Sequence, residues 1–463
     1  MKKLIAPVQK TAHLRLLLLF FSFMYVQLVL LRLSNSAGRG YLAESRQELV
    51  YCFLQVAVIA GFLLHAALQP RVGAGKGATV FTALPLVFCA AGGFLLLFMS
   101  PASLFYLIVT GVTVFSLGLV GGAVYLNASR LFSTAKHAGL CVGGGYAAGV
   151  ALQFCTQLQW TLLPAVAVLL TLCFVFLAVL LLMKAVPAED AVSPEKKPVS
   201  RRGLIPAAAI TAALLLFTVY YTSLIHHLQI QSGYGEYNVY AWPRLLMIPV
   251  VLLFGWLGEV WDGRLLPVST LCAALLALLH TVLAVREAYV LNMCRYYVAL
   301  AAVVVYYHLT FFRRAASAKT PALWACMGRL LDSAAVVFSF VFRFFALSPA
   351  AVLAVDIGLL VLVIVLMALN KDFSFESSAS SAEVPPAPVD ADPFTVLQER
   401  FGITNAEMNV LRELVLTEDK QDVIAARLNI SVSTMRHHIT SIYRKTDVQS
   451  RAGLCKLAAA CRS

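Results

Sequence analysis

Long apolar stretches separated by short polar segments make up most of this sequence and limit the folds open to it. We count twelve, each about 18 to 25 residues long, which is the length of helix that crosses the hydrocarbon core of a bilayer. With 60% hydrophobic and only 13% charged residues, the chain lacks the polar surface of a soluble globular protein. We therefore expect a multi-pass protein in contact with membrane lipid. The predicted spans are Leu14–Leu33, Leu49–Leu68, Ala78–Met99, Ser103–Leu126, Ala138–Phe154, Thr161–Met183, Leu204–Leu228, Ala241–Gly258, Leu265–Ala284, Tyr289–Phe312, Ala322–Phe345 and Ala350–Ala368.

Positive charges are concentrated in alternate loops between these spans. An even number of spans puts both termini on one side of the membrane, and loops rich in Lys and Arg stay in the cytoplasm. The loops assigned to the outside hold little beyond Arg32, Arg39, Arg46 and Arg286, although the formal net charge is +13. We therefore expect a protein of the plasma membrane with cytoplasmic N- and C-termini. The loops assigned to the inside carry Lys2, Lys3, Lys10, Arg15, Arg71, Lys76, Arg130, Lys136, Lys184, Lys196, Lys197, Arg201, Arg202, Arg264, Arg313, Arg314 and Lys319.

A long polar and basic loop, residues 184–203, follows the sixth span and contains several prolines. It divides the predicted membrane domain, residues 1–369, into two sets of six spans. This plan resembles the major facilitator superfamily, in which a cytoplasmic loop joins two six-helix bundles. The loop 255–264 (GWLGEVWDGR) is similar to that family's signature GxLxDRxGR, with one extra residue and no Arg after the acid, whereas the corresponding loop 69–76 lacks the acid. The resemblance implies an all-α, twelve-helix transmembrane bundle.

Glycines crowd the fifth span, at positions 139, 143, 144, 145 and 149. Small residues let the backbones of neighbouring helices approach closely within a membrane. We expect these glycines to serve helix packing rather than ligand binding.

Ionisable side chains within the spans are concentrated in the second half of the membrane domain. The first six spans contain no Asp or Glu, whereas the last six contain histidines, arginines and two aspartates. Such groups seldom face lipid, so a polar interior between helices is implied. One interpretation is a cavity for a small ligand, and the other is a set of buried pairs that only fix helix packing. The candidate ligand-binding residues are Arg295, His308, Arg329, Asp332 and Asp356.

Two pairings are expected among these groups. Arg329 and Asp332 are three residues apart, so on a helix they share a face and can neutralise each other. Asp356 can pair with Arg295 or with Arg343 near the outer side of the membrane.

The composition changes abruptly after the last span. Residues 370–392 are rich in Ser, Ala, Pro and acids and have no apolar periodicity, which is typical of a flexible linker. Residues 393–463 then show the periodicity of short amphipathic helices. The sequence therefore predicts a separate soluble domain at the C-terminus.

Four helices are predicted in this C-terminal domain. Thr404 and Glu407 have the spacing of a capping box at the start of the first helix. The second helix begins near Lys420, and Ser431 or Ser433 can cap the third. The second and third helices, joined by a tight turn, make a helix-turn-helix.

Residues 401–459 resemble the LuxR/NarL-type DNA-binding domain, a four-helix module of about this length. Met435 stands where that family prefers Val, His437 where a small polar residue is common, and the usual Gly before the second helix is missing. The resemblance implies that the third helix reads double-stranded promoter DNA and that two copies pair. The matching segments are Thr404-x-x-Glu407-x-x-Val410-Leu411, Val423-Ile424-Ala425-x-Arg427-Leu428-x-Ile430-Ser431, Ser433-Thr434-Met435-Arg436-x-His438-Ile439 and Ile442-Tyr443-Arg444-Lys445-x-x-Val448-x-Ser450-Arg451.

The expected DNA contacts follow from the chemistry of base edges and phosphates. Exposed donors on the first turns of a recognition helix read base edges, and flanking cations bind phosphates. Arg436 is the natural candidate to contact guanine or phosphate, and Lys445 fits a contact with the DNA backbone. His438 is expected either to face the groove or to bind within the fold. The candidate DNA-binding residues are Thr434, Arg436, His437, His438, Arg444, Lys445 and Arg451.

These observations favour a regulator rather than an enzyme. The tail has no catalytic constellation, no phosphate-binding Gly-rich loop and no Cys/His spacing for a metal, and the ten cysteines include no CxxC pair, so we expect no cofactor. A homodimer is expected through the last helix, around Leu454 and Leu457. The leading hypothesis is a membrane-bound, one-component transcription regulator whose transmembrane domain senses a small ligand. The alternatives are a major-facilitator transporter with a regulatory DNA-binding tail, and a tail that serves only as a protein-interaction module.

Overall fold

A computed structural model describes most of the chain, and it contains two compact units, Met1–Ser374 and Phe375–Ser463. The predicted linker 370–392 and most of the predicted loop 184–203 lie outside the described residues, as does Arg264 of the loop 255–264. The described residues are 12–37, 42, 44–72, 76–158, 163–182, 201–232, 241–260, 265–283, 289–316, 318–343, 347–369, 394, 397–398, 401–417, 419–446, 448 and 450–460.

The first unit is a bundle of α-helices. Helices are the expected outcome for such apolar sequence, because a chain in lipid must satisfy its backbone hydrogen bonds internally. Its described residues contain no strand. Their α-helices are α1 (Ala12–Ser34), α2 (Glu44–Leu68), α3 (Lys76–Phe98), α4 (Leu104–Phe132), α5 (Ala138–Leu158), α6 (Leu163–Leu182), α7 (Arg201–Ser232), α8 (Met247–Leu257), α9 (Leu265–Leu283), α10 (Tyr289–Ala315), α11 (Pro321–Arg343) and α12 (Pro349–Leu369).

Ten of these helices are long and apolar enough to cross a membrane, judged by length and composition over the described residues. Two shorter apolar segments, Trp242–Leu257 and Leu265–Leu279, correspond to the eighth and ninth predicted spans. All twelve predicted spans thus overlap a helix, and the predicted all-α class is confirmed. The cytoplasmic position of the termini remains a prediction.

The two halves of the bundle repeat one pattern of helix contacts. In the first half α1 packs against α4, α5 and α6, and in the second half α7 packs against α10, α11 and α12. The contacts of α4 with α2 and α3 likewise recur as contacts of α10 with α8 and α9. The halves meet where α2 packs against α11, where α5 packs against α8, and where α4 packs against α10 and α11. An offset of six helices therefore relates the halves, as the six-plus-six pattern predicts.

The glycines of α5 lie at two close helix contacts. A Cβ atom on Gly139 would lie 2.3 Å from the carbonyl oxygen of Gly255 on α8, and one on Gly143 would lie 2.4 Å from that of Val251. On the side facing α1, a Cβ atom on Gly145 would lie 2.9 Å from the backbone nitrogen of Phe21. The prediction that these glycines serve packing is confirmed.

The four α-helices that the sequence predicts are present in the second unit, and residues 394, 397, 398 and 401 before them are also helical. The four are α13 (Asn405–Leu416), α14 (Gln421–Arg427), α15 (Val432–Thr446) and α16 (Arg451–Ala460). Helix α15 packs against α13 and α14, and α16 packs against α13. Together α14, the short turn after it and α15 form the helix-turn-helix. The core is lined by Leu397, Ile403, Met408, Val410, Leu411, Leu414, Ile424, Ala425, Met435, Ile439, Ile442 and Leu454, among others.

Two local features fix where the helices of this unit begin. Thr404 and Glu407 form the predicted capping box, with the Thr404 backbone nitrogen donating to Oε2 of Glu407 at 2.8 Å. Ser431 rather than Ser433 caps α15, since its Oγ accepts a hydrogen bond from the Thr434 backbone nitrogen at 3.0 Å. Asn429 turns the chain between α14 and α15 with a φ of 57°.

Candidate functional site

Helix α15 has one buried face and one exposed face. Met435, Ile439 and Ile442 pack into the core of the unit, with Met435 and Ile442 fully buried. Thr434, Arg436 and His437 are exposed on the first turns. These three side chains stand where a recognition helix presents donors to base edges. We call them the reading face.

Two further candidates flank the reading face. His438 is half-buried, and its ring centroid lies 6.4 Å from that of His437. The side chain of Arg444 lies outside the described residues. Contact of either side chain with DNA remains a prediction.

Lys445 is bound inside the unit. Its Nζ donates to Oε2 of Glu407 at 2.6 Å and to the carbonyl oxygen of Gly402 at 2.9 Å. Glu407 is only 6% exposed and also accepts a hydrogen bond from the Ser441 hydroxyl at 2.6 Å. Burial alone would raise the pKa of Glu407, but the hydrogen bonds from Lys445, Ser441 and Thr404 lower it from 4.5 to about 2. The Lys445 ammonium thus holds α15 on the cap of α13, and its expected contact with DNA remains a prediction.

Arg451 is also bound within the unit. Its Nε donates to the carbonyl oxygen of Leu414 at 2.8 Å, its Nη1 donates to that of Asp419 at 2.6 Å, and its Nη2 donates to that of Thr417. These carbonyls belong to the end of α13 and the segment after it, where backbone oxygens lack helical partners. Arg451 therefore joins the start of α16 to the end of α13, and its expected phosphate contact also remains a prediction.

Leu454 and Leu457, around which pairing through the last helix is expected, both contact the core of their own unit. Leu454 is 1% exposed and lies in the core of its own unit, and Leu457 is half-buried against the same core. Both leucines therefore serve the four-helix fold, and pairing of two copies through the last helix, around Leu454 and Leu457, remains a prediction.

In the membrane unit, His308 lies in an aromatic cluster that joins the two halves. Its ring centroid is 5.0 Å from Phe20 of α1, 5.5 Å from Tyr125 of α4 and 5.6 Å from Phe312 of its own helix α10. Its Nδ1 is 2.7 Å from the carbonyl oxygen of Val304, and its Nε2 is 3.4 Å from the hydroxyl of Tyr125. Sequence reasoning selected His308 and missed the rings around it, because aromatic residues in a span do not reveal which helices they meet.

Arg329 and Asp332 form the predicted ion pair on α11. Their side chains are 13% and 21% exposed, so the pair is largely withdrawn from the surface of the unit. Both interact electrostatically with Tyr125 and Tyr146 of the first half. The pair therefore lies near the aromatic cluster, where α11 packs against α4.

The hydrogen bond expected between Asp356 and Arg295 does not form. Nη1 of Arg295 donates to Oδ1 of Asn292 at 2.7 Å, and Asp356 has no hydrogen-bond partner among the described residues although it is 0% exposed. The side chain of Arg343, the alternative partner, lies outside the described residues. Arg295 and Asn292 are one helical turn apart on α10, so the amide is the nearer acceptor.

Glu259, which sequence reasoning noted only as part of a loop signature, caps a helix of the other half. Its Oε1 accepts a hydrogen bond from the backbone nitrogen of Leu140 at 3.0 Å, and its Oε2 lies 3.1 Å from Nδ1 of His137. A carboxylate at a helix N-terminus satisfies free backbone donors and interacts favourably with the helix dipole. Nη2 of Arg313 on α10 donates to the neighbouring carbonyl oxygen of Gly258 at 2.7 Å. The two contacts of Glu259 join the halves at the end where α5 begins, and the Arg313 contact ties α10 to the residue before Glu259.

A chain of hydrogen bonds joins the halves at the other end of α5. Nη1 of Arg244 donates to Oε1 of Gln153 at 3.0 Å, and Nε2 of Gln153 donates to Oε1 of Gln157 at 3.1 Å. The same Gln157 oxygen accepts from Nη1 of Arg32 on α1 at 2.7 Å. Sequence reasoning did not select these glutamines, since single amides within an apolar span carry no motif.

Comparisons with known proteins address the two units separately. Residues 402–458 match the family described as "Bacterial regulatory proteins, luxR family". Among solved structures, the chain is similar to the crystal structure of the human organic anion transporter MFSD10 (TETRAN), with a TM-score of 0.51 and 15% sequence identity, covering 78% of this chain and 98% of that chain. No curated protein matches the chain.

At 15% identity the likeness to MFSD10 shows the fold alone. It agrees with the repeated six-helix halves, and the family match agrees with the capped, four-helix tail. The chain therefore joins a helical bundle with the major-facilitator fold to a C-terminal helix-turn-helix unit that matches the luxR family model over residues 402–458.

Proposed function

We propose that this chain is a membrane-bound, one-component transcription regulator whose bundle binds a small molecule and thereby controls DNA binding by the tail. The observation that carries the proposal is the covalent union of a major-facilitator fold with a LuxR-type helix-turn-helix. A DNA-binding domain tied to a multi-pass bundle can reach promoters only from the cytoplasmic face. The basic loops on the same side as the termini support that orientation.

The reading face supports sequence-specific binding to promoter DNA. Arg436 is exposed and has the geometry of a donor pair for guanine, while Thr434 and His437 offer shorter donors beside it. Lys445 and Arg451 donate hydrogen bonds within their own unit. Arg436 is therefore the described cation of α15 that is best presented to DNA. Arg436 is therefore the residue on which specific binding depends most.

The aromatic cluster and the Arg329–Asp332 pair support the sensing role of the bundle. Both lie where helices of the two halves meet, so a ligand that inserts there changes the contact between halves. A guanidinium and a carboxylate beside aromatic rings suit a small polar molecule with a planar or apolar part. A ligand that binds one arrangement of the bundle more tightly than another shifts the protein towards that arrangement. If the two arrangements differ in their affinity for DNA, ligand binding and DNA binding are coupled.

Genome-wide mapping of DNA occupancy by the intact protein tests this function. We expect discrete promoter sites for the native chain and their loss in Arg436→Ala. Arg412→Ala, an exposed arginine of α13 outside the reading face, is the matched control and should keep the sites. The same sites in Arg436→Ala would contradict the role of Arg436 in specific binding. No specific sites for the native chain would contradict DNA binding by the tail and favour a protein-interaction role.

A transporter with an appended regulatory tail is the second candidate. The repeated helix contacts and the likeness to a transporter structure favour it. Vesicles containing the full chain or a chain that ends before Pro393 would be assayed for gradient-dependent uptake of labelled organic anions and amines. Robust uptake by both forms would make transport the main activity, whereas no uptake by either form would support the sensor.

A further inference from the structure

Asp356 is a buried acid without a counter-charge in contact with it in the part of the chain that the structure describes. It lies on α12, is 0% exposed, and neither carboxylate oxygen has a hydrogen-bond partner among the described residues. It is also the sole ionisable residue in the sequence of α12. An unpaired carboxylate in such surroundings costs several kcal/mol relative to the neutral acid. The observed packing around Asp356 therefore favours the protonated, neutral carboxyl group.

The helices packed against α12 offer no described cation in contact with this acid. Tyr220 and Tyr221 of α7 interact with Asp356 electrostatically, and both are neutral phenols. The Tyr221 hydroxyl is held by α9, at 2.5 Å from Oγ1 of Thr281 and 3.1 Å from the carbonyl oxygen of Ala277. Arg295 of α10 interacts with Tyr221, but its Nη1 donates to Asn292. Tyr221 and Arg295 are thus engaged elsewhere.

Three histidines on the packed helices also bear on any dependence on pH. His226 and His227 belong to α7 and His280 belongs to α9, and all three side chains lie outside the described residues. Any test of Asp356 must therefore include variants of these histidines.

We propose that Asp356 is a proton-binding site and that its protonation controls how tightly α12 packs against α7. The neutral acid is compatible with the closed contact, because no charge is then buried without a partner. Loss of the proton requires water to reach the carboxylate, which requires α12 to separate from α7. Proton binding and helix packing are therefore linked, and each favours the other.

The position of α12 in the chain connects proton binding by Asp356 to the DNA-binding unit. Helix α12 ends at Leu369, and the sequence continues through residues 370–392 into the DNA-binding unit. Loosening of α12 therefore acts on the segment that bears the tail. This last step rests on the proposed function, whereas proton binding by Asp356 does not.

Infrared difference spectroscopy on the full-length protein in lipid nanodiscs tests proton binding directly. As pH is raised, we expect the carbonyl band of a protonated carboxyl group to disappear together with a change in the amide bands. Asp356→Asn should abolish both changes. Asp332→Asn should retain them, since Asp332 is already paired with Arg329, and so should the combined His226→Gln, His227→Gln and His280→Gln variant. A band that survives in Asp356→Asn, or that is lost only in the other variants, would overturn the proposal.

Hydrogen exchange of α12 amides tests the linked movement. The measured quantity is the opening equilibrium constant of α12 in the native chain divided by that in Asp356→Asn at the same pH. Above the pH at which the open state loses its proton, this ratio should rise about tenfold per unit of pH. Asp356→Leu, which cannot ionise, should behave like Asp356→Asn if it folds. An opening ratio independent of pH would overturn the coupling of proton binding to packing. None of these measurements needs DNA, so their failure is distinguishable from failure of the proposed regulator.

Discussion

The Lys445 ammonium lies 2.6 Å from the Glu407 carboxylate, so the recognition helix α15 is fastened to the N-terminal cap of α13. The same carboxylate accepts hydrogen bonds from the Thr404 backbone and from the Ser441 hydroxyl. One buried acid thus caps the start of α13 and also fixes the orientation of α15. The orientation of the reading face depends on this contact.

Replacement of Lys445 by Met should destabilise the tail by about 1 to 3 kcal/mol, because a nearly buried carboxylate loses its charged donor. Faster hydrogen exchange of tail amides in the intact protein would measure this loss. Arg436→Met is the control and should leave exchange unchanged while DNA binding is lost. Unchanged exchange in Lys445→Met would show that this lysine is no structural anchor.

The stability of the tail should fall as pH falls from about 4.5 towards 2. Hydrogen bonds in the fold lower the pKa of Glu407 from 4.5 to about 2, so the stabilisation is present above the higher value and lost as the folded acid takes up a proton. Helical content and hydrogen exchange of the tail across this range measure the effect. Glu407→Gln should be less stable at neutral pH and should vary less with pH. An equal dependence on pH in Glu407→Gln would assign the effect to other acids.

Glu259→Gln should loosen the contact between the halves where α5 begins. Loss of a capping carboxylate costs about 1 kcal/mol, which is about a fivefold change in an opening equilibrium. Cys141, one residue beyond the capped amide of Leu140, offers a native reporter through its rate of maleimide labelling, resolved by mass spectrometry. His137→Ala removes only an exposed ring and should have a smaller effect. Equal labelling rates in the native chain and Glu259→Gln would contradict a capping role.

Gly143→Ala should destabilise the bundle by about 1 to 3 kcal/mol through overpacking. The new Cβ atom would lie 2.4 Å from the carbonyl oxygen of Val251, and neither backbone can yield without separating α5 from α8. Gly111→Ala is a matched control within α4, because nothing lies within 4 Å of a Cβ atom there. The midpoint of thermal unfolding in detergent measures both variants. A lower midpoint in Gly111→Ala alone, or equal midpoints, would contradict the close contact.

The fold could be predicted further from the sequence than the site. Lipid leaves an apolar chain few alternatives to helices, and the capping box at Thr404 and Glu407 depends on residues three positions apart, so both were readable from local pattern. The contact of Lys445 with Glu407 could not be predicted, because the two residues are 38 positions apart. The local sequence around Lys445 would be the same if the lysine were exposed. The partners of His308 and Glu259 likewise come from the other half of the bundle. Contacts of this kind are set by packing, and a single sequence carries no pattern for them.

In the proposed function, the arrangement of the helices in the bundle controls DNA binding by the tail. The most direct measurement of this control is genome-wide occupancy of the intact chain, compared at equal protein level with Arg436→Ala and with Asp332→Asn, which breaks the Arg329 pair far along the chain from the reading face. We expect promoter sites for the native chain, their loss in Arg436→Ala, and altered occupancy of the same sites in Asp332→Asn. Occupancy that is identical in the native chain and Asp332→Asn, with both forms intact in the membrane, would contradict control of DNA binding by the bundle.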